Sequence, residues 1–300
     1  ATGSLAAGGT LGILIPPSLI LIIYAVMVEA NIATLFQAAL IPGILAAVGY
    51  MLVIAIIVRI NPESGPAAPK SSLRERWKSL IDIWGVLLIF LLVMGGIYSG
   101  IFTPTEGAGI GCVGTFLLAV TRGGMRWEGI KDVCLGTAST TGLIFLIILG
   151  ANVFSAFLGF TELPNDLAEF FRTSGLPPIT VIIMMVIIYI LLGFIMDSLS
   201  MILLTVPIFW PIIAALDFGM PVDDVKLWFG IISLIVVEVG LITPPVGMNV
   251  FIISSMAKNV PMIETFKGVI PFFLSDTVRV AFIIWLPSLT LILPHLWASE

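Results

Sequence analysis

Two adjacent prolines inside an apolar run set the first constraint on this chain. The stretch is Gly240-Leu-Ile-Thr-Pro-Pro-Val-Gly-Met-Asn249. Proline donates no backbone hydrogen bond and clashes with the preceding turn, so a helix cannot pass through Pro244-Pro245 unbroken. The flanking run has the length and apolarity of a membrane helix, and composition agrees. The chain is 59% hydrophobic and 10% charged, with a mean hydropathy of +1.18. A soluble domain carries roughly 25% charge. A break at membrane depth leaves backbone groups without partners, and such breaks persist only where protein, water or a ligand satisfies them.

The same device occurs early, in Gly12-Ile-Leu-Ile-Pro-Pro-Ser18. Gly12 and Gly240 stand 228 residues apart, as do Pro16 and Pro244, and Asn31 and Asn259. With one residue of slip, Phe36-Gln-Ala-Ala-Leu-Ile-Pro42 resembles Phe266-Lys-Gly-Val-Ile-Pro271. This is an internal repeat. Basic loops at 61–80 and 122–132 read as cytoplasmic, and acidic segments at 161–175 and 217–226 as external. The first copy then ends outside near Glu29 and the second inside near Lys258, so the copies are antiparallel across the bilayer. Inverted repeats with interrupted helices in matching positions point to a secondary transporter with its site at the midplane.

The hydropathy predicts an all-α polytopic membrane protein. Spans are expected at 11–30 (split by Pro16-Pro17), 33–60 (bent at Pro42), 83–100, 178–196, 201–216, 227–249 and 269–297. Residues 100–111 read as a polar interruption, with Glu106 either a hairpin tip or a simple turn. Residues 134–160 read as a span or a re-entrant hairpin. The organisation expected is the end of a first repeat at 1–60, a cytoplasmic linker at 61–80 and a second repeat at 81–300. Asp197 minus the repeat offset falls about 30 residues before residue 1. The chain therefore reads as missing an N-terminal part, with its first half-site lacking a partner turn, and a fragment so cut should not transport.

Unwound backbone exposes carbonyl oxygens, hard ligands suited to Na⁺. Thr243, Asn249 and Ser18 add side-chain oxygens beside the breaks. Asp197-Ser-Leu-Ser200 follows an apolar span, and an intramembrane carboxylate suggests a site; the plain alternative is an ordinary helix cap. Glu238 lies two residues before Gly240. Asp276 and Arg279 are spaced to pair with each other. Cys112 and Cys134 read as two packed thiols. There is no HExxH, G-x-S-x-G or GxxxxGK[ST] motif, and the single histidine, His295, precludes a histidine-based metal cluster. No basic face suits nucleic acid. Catalytic residues and cofactors are therefore not expected.

Four stretches carry a resemblance: Gly9-Thr-Leu-Gly-Ile-Leu-Ile-Pro-Pro-Ser18, Gly100-Ile-Phe-Thr-Pro-Thr-Glu-Gly-Ala108, Gly193-Phe-Ile-Met-Asp-Ser198 and Gly240-Leu-Ile-Thr-Pro-Pro-Val-Gly-Met-Asn249. Together they resemble the large membrane subunit of tripartite ATP-independent periplasmic (TRAP) transporters. The resemblance implies an elevator-type fold with broken helices and re-entrant hairpins, in a bacterial inner membrane. It implies Na⁺-driven import of organic acids such as C4-dicarboxylates or sialic acid. The implied partners are a small four-helix membrane subunit (DctQ-like) and a periplasmic substrate-binding protein (DctP-like). The implied Na⁺ ligands are backbone groups of Gly12, Ile15 and Pro17, and of Gly240, Thr243 and Val246. Asp197, Ser198 and Ser200 would face the second site. Competing readings are a single-chain Na⁺/carboxylate symporter, a passive channel and a membrane-embedded enzyme.

Overall fold

The computed structural model describes residues 2–65, 72–244, 247–257 and 260–298. Pro245, Val246, Lys258 and Asn259, which the sequence reading used, lie outside the described residues. The elements are α1 (Thr2–Leu14), α2 (Leu19–Met27), α3 (Ile32–Ile60), α4 (Leu73–Asp82), α5 (Trp84–Tyr98), α6 (Pro104–Thr121), α7 (Trp127–Thr161), α8 (Leu163–Thr173), α9 (Pro178–Gly193), α10 (Ser198–Ala214), α11 (Val222–Ile242), α12 (Met248–Met256), α13 (Met262–Trp285) and α14 (Ser288–Ala298). Among the described residues there is no strand. Four helices, α3, α7, α11 and α13, are long and apolar enough to cross a membrane. Two bent pairs, α1–α2 at 45° and α4–α5 at 56°, would each add one span if counted together.

The chain divides into two compact units, residues 1–65 with 150–300, and residues 66–149. The larger unit is built around α11. All sixteen residues from Leu227 to Ile242 are buried. A helix apolar on every side belongs inside other helices, and α11 packs on α1, α2, α3, α9, α10, α12, α13 and α14. Two hydrogen bonds fix its N-terminal half. Trp228 Nε1 donates to the Ile283 carbonyl at 2.8 Å, and the Tyr24 hydroxyl donates to the Lys226 carbonyl at 2.8 Å.

Within a bilayer, lipid tails are as apolar as the helices, so association relies on close packing and interhelical hydrogen bonds. Two glycine crossings supply that closeness. A Cβ on Gly193 would stand 2.6 Å from Gly240 Cα, and one on Gly3 would stand 2.4 Å from the Gly268 carbonyl carbon. The first crossing locks α9 on α11; the second locks α1 on α13.

The repeat is visible in the packing. α1, α2 and α3 follow the order helix, break, helix and long proline-containing helix, and α11, α12 and α13 do the same. Each copy also packs reciprocally on the other, α1 on α13 and α11 on α3. Thr265 Oγ1 donates to Thr2 Oγ1 at 3.0 Å, and at the other end Lys226 Nζ donates to the Glu29 carbonyl at 3.3 Å. The start of copy one thus lies beside α13, and its end beside the start of α11. The copies run in opposite directions.

The smaller unit contains α4, α5, α6 and most of α7. Its helices show broad apolar surfaces, including Leu88, Leu91, Leu117 and Leu146. Large continuous apolar exposure marks contact with lipid or protein. Arg122 stacks 4.8 Å over Trp84, and Lys131 lies 5.7 Å over Trp127.

Several expectations are corrected. The interruption is shorter than expected: residues 100–103 separate α5 from α6, while residues 104–111 are helical, started by a Thr103–Glu106 capping box with Pro104 in the first turn, where proline fits a helix well. Glu106 lies in the first turn of α6, just after the turn that joins the packed pair α5 and α6, so it stands at the tip of a helical hairpin. Residues 134–160 belong to one continuous helix of 35 residues, about 52 Å at 1.5 Å per residue. Half of the basic loop is helical too, because Ser72 and Glu75 cap α4 in the same way. Segment 161–175 contains α8, which carries an exposed Glu169–Arg172 pair at 2.8 Å. The last span is interrupted at Leu286-Pro287, between α13 and α14. Cys112 and Cys134 are free and exposed, not packed.

The glycine crossing gives a direct test. Gly193→Ala should destabilise the protein by about 1–3 kcal/mol, as overpacking does, and lower its thermal midpoint in detergent. Gly8→Ala, with nothing within 4 Å of the added carbon, should leave the midpoint unchanged.

Candidate functional site

The first break runs from Ile15 to Ser18. α1 ends at Leu14, Pro16-Pro17 is a cis peptide, and Ser18 caps α2 by accepting from Leu21 N–H at 3.4 Å. Ser18 is buried, whereas Gly12 and Pro17 are exposed and Ile15 is intermediate. Gly43, next to Pro42 of α3, receives the Ile15 side chain: a Cβ there would meet it at 3.0 Å. The break is thus seated on the other break in the regular pattern, the Pro42-Gly43 step.

The second break begins at Thr243. Its N–H donates to the Gly240 carbonyl at 3.1 Å and its hydroxyl donates to the Val239 carbonyl at 2.5 Å. The hydroxyl oxygen keeps lone pairs for a ligand. The chain resumes at Gly247, with φ +51°, a left-handed conformation that glycine adopts freely. Asn249 lies in the first turn of α12. A Cβ on Gly9 of α1 would lie 3.6 Å from Asn249 Nδ2. The broken helix of copy one therefore touches the broken helix of copy two. Val246 lies outside the described residues.

The α9–α10 turn reaches the same end of α11. Asp197 caps α10, accepting from Leu199 N–H at 3.0 Å and from Ser200 N–H at 3.1 Å, and Ser200 Oγ also donates to it. The cap reading is thus correct for Asp197 in local terms. Two steps away, the glycine crossing holds Gly193 on Gly240, and Ser198 Oγ lies 3.5 Å from Glu238 Oε1. Residues 193–200 and 238–243, singled out separately in the sequence, meet in space.

A buried polar chain supports the first break. Thr10 Oγ1 lies 3.1 Å from the Tyr50 hydroxyl, which donates to Asp276 Oδ2 at 2.6 Å. Asp276 Oδ1 pairs with Arg279 Nη2 at 2.9 Å, and Arg279 Nη1 donates to the Pro42 carbonyl at 3.4 Å. This network joins α1, α3 and α13. The i, i+3 spacing foretold the Asp276–Arg279 pair, but nothing in the sequence placed Tyr50 and Thr10 beside it. Arg279 is committed to Asp276 and is not free to clamp a substrate carboxylate. The pocket beside Thr243 is lined by Ile242, Phe266, Val269 and Phe273, apolar groups that offer an anion nothing.

The family comparison adds the decisive observation. A family model described as "Tripartite ATP-independent periplasmic transporter, DctM component" matches residues 1–289. The chain belongs to the DctM family. It is 35% identical over 295 residues to the C4-dicarboxylate TRAP transporter large permease protein of Pseudomonas aeruginosa, covering 98% of this chain and 67% of that protein. It is 32% identical to the sialic acid TRAP transporter large permease protein of Vibrio cholerae, over 99% of this chain and 68% of that one. It is 29% identical to the 2,3-diketo-L-gulonate TRAP transporter large permease protein of Escherichia coli, over 303 residues. As a DctM-family chain with these apolar helices, it is a multi-pass membrane transport subunit and not an enzyme. Three such different cargo names at similar identity leave this DctM-family member's own cargo open.

Tyr50→Phe removes the hydrogen bonds to Thr10 and Asp276 and leaves Asp276 Oδ2 buried without a donor. The expected cost is about 1–3 kcal/mol, read as a lower thermal midpoint. Arg279→Met, which strands the Asp276 charge, should cost more, about 3–5 kcal/mol.

Proposed function

We propose that this chain is the large permease subunit of a Na⁺-coupled TRAP transporter that imports an organic acid across a bacterial cytoplasmic membrane. The observation that carries this reading is the antiparallel pair of broken helices, met at Gly9 and Asn249, with the 193–200 turn closed on the second break. Broken helices of inverted repeats use unwound carbonyls for coupling cations. Here the first set is Gly12, Ile15 and Pro17, and the second is Gly240, Thr243 and Val246. Ser18, Asp197, Ser198, Ser200 and Asn249 stand beside them as polar neighbours.

The substrate contributes its carboxylate, and a periplasmic binding protein delivers it; a small membrane subunit completes the complex. These partners follow from the tripartite family. The transport domain would move past a scaffold in an elevator motion, with the glycine crossings keeping α1, α9, α11 and α13 together as one body. A single-chain symporter of related fold is the competing reading. Reconstituted complete protein separates them: uptake should require both the binding protein and a Na⁺ gradient. Uptake of free substrate without the binding protein would refute the tripartite reading.

Thr243→Val keeps the shape of the second break and removes its hydroxyl oxygen. The Na⁺ concentration for half-maximal uptake should rise about tenfold, equivalent to about 1.4 kcal/mol, with the amount of folded protein unchanged. An unchanged Na⁺ response would reduce this motif to a packing kink.

A further inference from the structure

The helix buried on every side carries a carboxylate that its surroundings do not balance. Glu238 is 2% exposed. Its Oε1 has only a 3.5 Å contact with Ser198 Oγ, at the weak limit of hydrogen bonding, and its buried Oε2 has no hydrogen-bond partner. A carboxylate taken out of water is costly unless it is paired and its lone pairs are satisfied. An apolar residue here would pack without that cost.

The positive charge nearby is already engaged. Arg279 and Asp276 both act on Glu238 electrostatically from α13. The Arg279 guanidinium, however, is held 2.9 Å from Asp276. One guanidinium therefore faces two carboxylates. A helix N-terminus offers about half a positive charge, but that of α10 is capped by Asp197. Among the described residues no cationic side chain pairs with Glu238, and the carboxylates do not gather as a chelating cluster.

Thr243 follows Glu238 by five residues, about 7.5 Å along a helix axis. Resting on the Na⁺ reading above, we propose that Glu238 supplies the negative charge of the second cation site. Its unpartnered oxygen and Ser198 then face the alkali cation that the carbonyls at the end of α11 hold. Carbonyls and hydroxyls are neutral, and the nearby Asp197 carboxylate is engaged in capping α10, accepting from the Leu199 and Ser200 N–H groups and the Ser200 hydroxyl. Glu238 supplies the counter-charge, and the bound cation in turn relieves the penalty on Glu238.

The test is a Na⁺ titration of the purified complete protein, with choline holding ionic strength constant and the thermal midpoint as readout. Wild type should gain midpoint with Na⁺. Glu238→Gln, nearly isosteric and neutral, should need at least tenfold more Na⁺ for the same gain. Glu238→Asp, which keeps the charge, should stay within about threefold of wild type. Equal Na⁺ response in Glu238→Gln and wild type would overturn this assignment while leaving the Na⁺ reading intact. Equal weakening by both substitutions would overturn it too, since packing and not charge would be at fault. A wild type with no Na⁺ response would overturn the Na⁺ reading itself. If Glu238→Gln yields no folded protein, Glu238→Asp decides: a retained Na⁺ response supports the charge, and a lost one refutes it.

Discussion

A helix buried from Leu227 to Ile242 must find a neighbour for every side chain, and that requirement organises the larger unit of this protein. Eight helices pack on α11. In a lipid environment they gain little from hydrophobicity alone, so shape and hydrogen bonds decide the arrangement. The Gly193–Gly240 contact, the Trp228–Ile283 hydrogen bond and the Tyr24–Lys226 hydrogen bond are the visible results. The same helix ends at Thr243, whose N–H and hydroxyl turn back on the Gly240 and Val239 carbonyls. The rigid core and the proposed cation ligands thus stand within one turn of each other.

The antiparallel repeat explains why one break is not enough. Copy one brings Ile15 to Ser18 beside α3, braced by Thr10, Tyr50, Asp276 and Arg279. Copy two brings Thr243 and Asn249 beside α1 and the α9–α10 turn. Because the copies run in opposite directions, their broken helices touch, at Gly9 of α1 and Asn249 of α12. Alternating access in inverted-repeat transporters depends on such pairs. The polar groups differ between the two: the Asp276–Arg279 ion pair near the first break, and Glu238 without an ion-pair partner near the second.

Much of this was legible in the sequence because proline and hydropathy act locally. Pro16-Pro17 and Pro244 end helices wherever the chain goes, and the 228-residue offset paired them before any contact was known. Other features depended on local chemistry that a polarity scan misreads. Thr103-Pro-Thr-Glu106 looks like an interruption by composition, yet its side chains cap a helix, so the polar residues start α6 and do not break it. The helical course of 127–161 was open, because apolar length alone does not distinguish one long helix from a hairpin. Cys112 and Cys134 misled for the converse reason: an apolar neighbourhood along the chain says nothing about which face looks outward. Glu238 was noticed only as a neighbour of Gly240. Its want of a partner is a property of the folded core, set by residues 40 positions away and on another helix.

The central claim is that the end of α11 and the turn at 197–200 hold a coupling cation. Equilibrium binding of radiolabelled Na⁺ to the purified complete protein, without substrate or binding protein, addresses it most directly. The account predicts saturable binding that excess unlabelled Na⁺ displaces and choline does not. Absence of saturable binding in folded protein would contradict it.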